Sequence, residues 1–160
     1  MMNRLLVFFL LLIVLAGCQE KKDPPARVLP TDDLEGSVHD FMEEYGNLIR
    51  EGNFDSVPFL YDTLGAIIIG GDKKVFQPMD SLKARYGRYS KSKVYFKWDS
   101  MDVQMLDTSI VLVTSIFYWN QKPSKDTLKF YYTGVLIKQR ERWKIKHEHE
   151  SRNYASFKKN

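Results

Sequence analysis

The chain has 160 residues, a formal net charge of +4 and 44% hydrophobic residues, so it is long enough for one domain with a buried core. The charge is small and no basic stretch is clustered, which argues against nucleic-acid binding. Cys18 is the only cysteine, so a disulfide framework within the chain is excluded.

The N-terminal segment has the order of charged and apolar residues that a secretory signal requires. Arg4 precedes an apolar run from Leu5 to Leu15, and this run is shorter than the roughly 20 residues of a transmembrane helix. Small residues then lead to Cys18, where processing would occur. An uncleaved anchor helix that starts at Met1 is the alternative.

The residues Leu15-Ala16-Gly17-Cys18 resemble the bacterial lipoprotein box, in which the cysteine sulfur takes a diacylglycerol before cleavage. The resemblance implies that residues 1–17 are a lipoprotein signal peptide, that Cys18 is the lipidation site and that lipid holds the mature chain at a membrane of the bacterial cell envelope. Gln19 is not the aspartate that retains lipoproteins in the inner membrane of enteric bacteria, so the outer membrane is favoured over the inner membrane.

Residues 18–33 are expected to form a tether, because Pro24, Pro25 and Pro30 stiffen a polar segment that has little to bury. Apolar residues then recur at spacings of three and four, which predicts an amphipathic helix that stops at Gly52. The residues on its apolar face are Val38, Phe41, Met42, Tyr45, Leu48 and Ile49.

The middle of the chain gives shorter signals. A second helix is predicted near Phe54–Leu60, with Pro58 as a complication, and the β-branched run Ala66–Ile69 predicts a strand closed by a glycine turn. Residues 78–89 have the pattern of another amphipathic helix.

Four β-rich runs follow from Lys91 onward at hairpin distances, which predicts an antiparallel sheet. Helices followed by a meander of strands indicate an α+β domain. Both alternating sets of residues in the run Ile110–Trp119 are largely apolar, so we expect strong curvature or a partner to cover the second face of the sheet.

Four segments resemble the nuclear transport factor two-like superfamily, in its SnoaL-like (polyketide-cyclase-like) branch. They are the helix Val38–Tyr45 with Gly52-Asn53-Phe54-Asp55, the strand–turn–strand segment Asp102–Val111, the following strand up to Gly134-Val135, and the closing run Trp143–Ser151.

The resemblance implies a cone-like curved antiparallel sheet of four to six strands wrapped round N-terminal helices, over residues 34–152, with residues 153–160 as a tail. Family members use the apolar pocket of the cone as an isomerase or dehydratase site, as a ligand pocket, or not at all. Many associate through the outer face of the sheet, so a homodimer of this kind is expected.

Alternation along the last strand places His147 and His149 on the face of Trp143. If that face is interior, the two imidazoles form an acid–base or ligand-binding pair near the rim of the cone; hydrogen bonds within the sheet are the alternative. Tyr45, Phe41 and Tyr132 complete the candidate pocket.

A metal site is not predicted, because two histidines need a third ligand and only His39 remains. No cofactor is indicated, and no Gly-x-Ser-x-Gly elbow is found. Isomerase-like chemistry needs a carboxylate and acidic donors; core and rim packing is the alternative role for the residues that could supply them. These candidates are Tyr45, Tyr61, Tyr118, Tyr132, Asp40, Asp62 and Asp99.

These observations predict a lipid-anchored envelope protein whose cone domain binds a small apolar ligand or another protein without catalysis. The alternative is an isomerase, dehydratase or cyclase-like enzyme that acts on a small apolar carbonyl compound, with His147 or His149 as the proton carrier.

Overall fold

The structure is a computed structural model that describes residues 31–70, 73–89, 94–120 and 127–153. The predicted signal peptide, Cys18, the tether up to Pro30 and tail residues 154–160 lie outside the described residues.

Helix α1 (Thr31–Arg50) begins inside the segment predicted as a tether and buries the apolar face expected from its spacing. It ends where the sequence predicted, because Gly52 adopts a positive φ of 73°. The Gly52 amide donates to the Ile49 carbonyl at 3.1 Å and the Asn53 amide donates to the Leu48 carbonyl at 2.8 Å. These two bonds satisfy carbonyls that the last turn leaves without partners.

Two shorter helical segments follow α1. A single 3-10 helix (Val57–Leu60) occupies the place of the predicted second helix, and Pro58 lies in its first turn, where a missing amide proton costs least. Helix α2 (Met79–Gly87) lies within the predicted 78–89 segment and buries Leu82 and Tyr86.

Six strands form one sheet in the order β2-β1-β6-β5-β4-β3. Their bounds are β1 Ala66–Gly70, β2 Lys73–Gln77, β3 Tyr95–Asp107, β4 Ile110–Asn120, β5 Leu128–Gln139 and β6 Arg142–Arg152. The meander from β3 to β6 is antiparallel as predicted, whereas β1 lies parallel to β6. The α+β fold class is confirmed.

Irregular pairing bends the sheet. The register shifts within β3 at Trp98/Met101 and Met105/Asp107, and again where β5 meets β6 at Val135/Leu136. Each extra residue adds local twist and bends its strand, so the sheet curls round α1 as an unclosed cone with β2 and β3 at its edges.

The core lies between α1 and the concave face of the sheet. Val111, Val113, Leu136 and Ile145 are fully buried on that face. The Trp98 indole on β3 donates to the Met42 carbonyl of α1 at 2.9 Å, which ties the helix to the sheet edge. On the outer face of β4 the alternate residues Ile110, Leu112 and Ile116 are exposed or half-buried.

Candidate functional site

A β-bulge at Lys146 decides which side chains of β6 enter the cone. Leu136 of β5 pairs with Ile145, but the preceding Val135 pairs with His147, so Lys146 is an extra residue. The alternation therefore restarts after Ile145. Glu148 then faces the interior and is 0% exposed.

The expectation that His147 and His149 share a face with Trp143 is wrong. Trp143 is buried in the core, whereas His147 is half-buried and His149 is exposed. The two imidazoles lie on the outer face beside Ile67 and Ile69 of β1, their partners in the parallel ladder. A one-residue bulge inverts every later position of a strand, so the glutamates occupy the interior in place of the histidines.

A chain of tyrosine hydroxyls leads to Glu148. The Tyr61 hydroxyl donates to Glu148 Oε1 at 2.9 Å and lies 2.5 Å from the Tyr86 hydroxyl, which lies 3.4 Å from that of Tyr45. A phenol has one proton and can donate one hydrogen bond. Tyr61 uses its proton in the hydrogen bond to Glu148. Tyr86 must therefore donate to Tyr61, and Tyr45 to Tyr86.

The pKa values of the two carboxyls in this cluster are raised, which favours their protonated forms. Burial, and next the charge of Glu150, raise the pKa of Glu148 to about 8, although the Tyr61 hydrogen bond and Arg85 act in the opposite direction. Burial also raises the pKa of Glu150, against the charge of Arg85. Glu148 is therefore mostly neutral at pH 7, a state that can donate a proton. Its Oε2 atom is buried and has no hydrogen-bond partner among the described residues.

A cavity of about 200 Å³ opens above this cluster, between α1, α2 and the sheet. Its walls are mostly aromatic, and the residues with polar groups that line it are Arg85, Glu150, Tyr45, Tyr86 and Tyr89. The apolar and aromatic wall residues are Ile49, Phe54, Phe96, Phe117, Trp119 and Phe130. Such a cavity fits a flat apolar molecule that carries one polar group.

The other predicted pocket residues are divided between different places. Tyr45 lines the cavity, and Tyr132 is 2% exposed with its hydroxyl unpaired among the described residues. Phe41 and Trp143 instead line a separate groove between α1 and the β5–β6 turn. There the Trp143 indole donates to Ser37 Oγ at 2.9 Å.

Asp62 belongs to a separate polar contact below the sheet. Its carboxylate accepts hydrogen bonds from Lys146, from Gln139 at 3.0 Å and from the Leu64 amide at 3.1 Å. Burial alone would raise the pKa of Asp62, but these hydrogen bonds outweigh it and the pKa lies below its usual value.

The remaining candidates stay outside the cavity. Asp40 and Asp99 are exposed, and Tyr118 lies on the outer face of β4. His39 is exposed on α1 with Nε2 3.8 Å from a Glu35 carboxylate oxygen. Within the described ranges, no cluster of His, Cys, Asp and Glu could hold a metal ion.

Sequence reasoning missed Glu148, Glu150, Arg85 and Tyr86. The alternation of His147, Glu148, His149 and Glu150 offers two equivalent sets of polar residues, and only the strand register selects one of them. A carboxyl two residues from another on a strand was the available signal, because such pairs share a face.

Two family models match the chain. A model described as a SnoaL-like domain matches residues 38–155, and one described as a prokaryotic membrane lipoprotein lipid attachment site matches residues 2–19. These matches confirm both resemblances drawn from the sequence. No curated protein matches the chain. In the part of the chain that the structure describes, no helix is both long and apolar enough to cross a membrane.

Solved structures with the same fold include an NTF-2-like protein of Shewanella oneidensis with 22% identity and a TM-score of 0.60, over 77% of this chain and 99% of that chain. An NTF2-like protein of Pseudomonas putida has 11% identity and a TM-score of 0.67, over 81% and 93%. A candidate scytalone dehydratase of Novosphingobium aromaticivorans has 11% identity and a TM-score of 0.64, over 77% and 87%. At these identities the likeness supports the fold alone.

Proposed function

Because the chain belongs to the SnoaL-like family and is a membrane-anchored bacterial lipoprotein, we propose that its cone is a binding site for a small, flat, apolar ligand that carries a carbonyl or similar acceptor. The cavity above the tyrosine–glutamate cluster is the observation that carries this proposal. The domain would present this ligand site in the envelope without carrying out a reaction.

The chemistry of the walls supports the choice of ligand. Aromatic side chains from β3, β4 and the segments that follow α1 and α2 offer ring faces and edges. At the polar end the tyrosine chain already uses the hydroxyl protons of Tyr45 and Tyr86, which leaves Arg85 and Glu150 as donors. Burial raises the pKa of Glu150, so this carboxyl favours its neutral, proton-donating form. An acceptor such as a ketone oxygen matches donors of this kind.

Binding can be tested with 2-acetylnaphthalene, an aromatic ketone, by titration against tryptophan fluorescence. Phe130→Trp adds volume to the cavity wall, whereas Tyr131→Trp adds it to the next residue, which is 45% exposed on the outer face. We expect saturable binding that weakens about tenfold or more in Phe130→Trp and is unchanged in Tyr131→Trp. Equal titrations for all three proteins, or no saturation, would contradict the proposal.

The raised pKa of Glu148, about 8, supports a second candidate function, acid–base catalysis on a carbonyl compound. A general acid or base works best when its pKa lies near the operating pH. Glu150 lines the cavity and would exchange the proton, while Glu148 and its tyrosines would sustain the neutral state. In this form of the enzyme hypothesis the glutamates replace His147 and His149 as proton carriers.

Proton exchange separates the two functions. In deuterated water an acid–base catalyst would exchange the methyl protons of 2-acetylnaphthalene, which proton NMR detects. Exchange in the parent that is lost in Glu150→Gln would favour the enzyme, whereas binding without exchange would favour the binding module.

The location and assembly of the protein are further parts of the proposal. Cys18→Ala should lose lipid labelling, and fractionation of the parent should place it in the outer membrane; unchanged labelling would exclude Cys18 as the acylated residue.

The apolar outer face of β4 and β5 supports a homodimer. Light scattering should report a dimer that Ile116→Lys weakens, and a strict monomer at high concentration would refute it.

A further inference from the structure

The end of the domain at the β5–β6 turn carries cationic and exposed apolar side chains together. This surface, the basic tip, consists of Phe59, Leu64, Arg140, Arg142 and Lys144. Leu64 is 77% and Phe59 59% exposed. Leu64 lines one surface depression with the three cations, and Lys144 Nζ donates to the Phe59 carbonyl oxygen. Large apolar side chains ringed by cations are typical of surfaces that contact membranes.

The cations of the basic tip lack counter-ions among the described residues. Neither Arg140 nor Arg142 forms an ion pair there. The depression that they line with Lys144 contains no acidic residue. Burial, and next the positive charge of Arg142, lower the pKa of Lys144, as is expected where cations crowd. The depression of the basic tip therefore presents three cations and no carboxylate.

Acidic residues lie on the other side of the turn. Glu141 is paired with Lys138 at 3.1 Å, and Asp40 and Glu44 of α1 line the neighbouring groove. Glu44 lies close enough to Lys144 to act against the lowering of its pKa. Phe59, Arg142 and Lys144 also line this groove, whereas Leu64 and Arg140 line the depression, which has no acidic residue.

The turn itself is built from residues that do not suit it. Arg140 has a φ of 48° and Glu141 a φ of 64°, a pair of conformations for which Asn-Gly is preferred in hairpins. Turn stability therefore does not explain an arginine at position 140, whereas a contact made by its side chain would.

The start of α1 lies near this end of the domain. Ser37, the hydrogen-bond partner of Trp143, lies six residues into α1, or about 9 Å from Thr31. Between Cys18 and Thr31 the chain can extend to about 45 Å at most. The start of α1, to which the lipid-anchored segment is joined, thus lies near the basic tip.

We propose that the basic tip docks on the anionic headgroups of the membrane that holds the lipid anchor, with Leu64 and Phe59 entering the headgroup layer. The cations of the depression and the nearby start of α1, which is joined to the lipid-anchored segment, both favour a bilayer as the partner. Along β5 the cavity residue Phe130 is nine residues, about 30 Å, from Gln139 at the turn. Docking of the basic tip therefore turns the cavity away from the bilayer.

The acylated full chain can report its own orientation, because acylation of the only cysteine leaves no free thiol. Thr63→Cys beside the basic tip and Tyr95→Cys at the far end of the sheet each accept one fluorophore, to be quenched by nitroxide-headgroup lipids. In vesicles of equal parts phosphatidylcholine and phosphatidylglycerol we expect quenching at position 63 to exceed that at position 95. In phosphatidylcholine alone we expect this difference to shrink.

Neutralising variants test the cations. Arg140→Asn with Arg142→Gln should lower the ratio of docked to undocked protein by about tenfold or more, although asparagine suits the turn better than arginine. Lys97→Gln with Lys129→Gln removes the same charge elsewhere and should leave quenching at position 63 unchanged. Equal effects of the two variants, or equal quenching at both positions in anionic vesicles, would overturn the proposal. If the fluorophore at position 63 is shielded only after another envelope protein is added, the basic tip binds a protein partner. That result would overturn the proposal as well.

Discussion

The buried Glu148 should make the stability of this domain fall as the pH rises. The folded chain holds the carboxyl proton up to a pKa of about 8, whereas the ordinary value of 4.5 applies to the unfolded chain. Between these values the folded state binds more protons, so the free energy of unfolding decreases with pH. The stabilisation is fully present below about pH 4.5 and is lost by about pH 8.

The size of this effect follows from the two pKa values. Each pKa unit corresponds to about 1.4 kcal/mol, so the interval from 4.5 to about 8 is worth about 5 kcal/mol. This is a large share of the roughly 5–15 kcal/mol that stabilises a typical domain. Glu150 is close enough to contribute to the pKa of Glu148, so the two carboxyls share the titration.

Glu148→Gln removes the titrating group and keeps the acceptor for Tyr61. The amide nitrogen would take the place of Oε2, which has no partner among the described residues, and this costs about 1–3 kcal/mol at every pH. The expected result is therefore a flatter dependence of stability on pH. The variant should be the less stable protein near pH 5 and the more stable one near pH 8.

Urea unfolding followed by tryptophan fluorescence, on the chain from residue 19 onward, measures both profiles between pH 5 and 8. Glu51→Gln, an exposed carboxylate beyond the end of α1, is the matched control and should leave the profile of the parent unchanged. Parallel profiles for the parent and Glu148→Gln would refute the argument, because they would show that Glu148 binds the same number of protons in both states.

Two other substitutions test contacts outside the cavity. Gly134→Ala would place a Cβ 2.5 Å from the Tyr132 hydroxyl oxygen, so we expect a loss of about 1–3 kcal/mol in chemical denaturation. Gly87→Ala, which has no heavy atom within 4 Å of the added carbon, should cost nothing comparable; equal costs would show that Tyr132 moves aside freely. Asp62→Asn removes the charge that holds Lys146, and we expect a loss of about 1–3 kcal/mol at pH 7 that diminishes in acid as the carboxyl of the parent is protonated. A loss that persists unchanged at pH 3 would contradict the depressed pKa.

The sequence by itself determined the elements that depend on local spacing. The apolar residues of α1 recur at helical intervals, and Gly52 follows them directly. The meander of β3 to β6 needs only short connections between β-rich runs. The lipid attachment site is likewise a contiguous pattern that ends at Cys18. In each case the pattern that predicts the element lies within one contiguous stretch of the chain.

Only the tertiary structure decided the composition of the site. Tyr61 and Glu148, 87 positions apart, meet because the segment before β1 lies beside β6. The interior position of Glu148 depends on the bulge at Lys146, which pairing with β5 defines. Polar residues occupy both faces of β6 beyond Ile145, so no difference in hydrophobicity marks the interior side. Long-range pairing, rather than local preference, therefore placed the glutamates inside the cone and the histidines outside it.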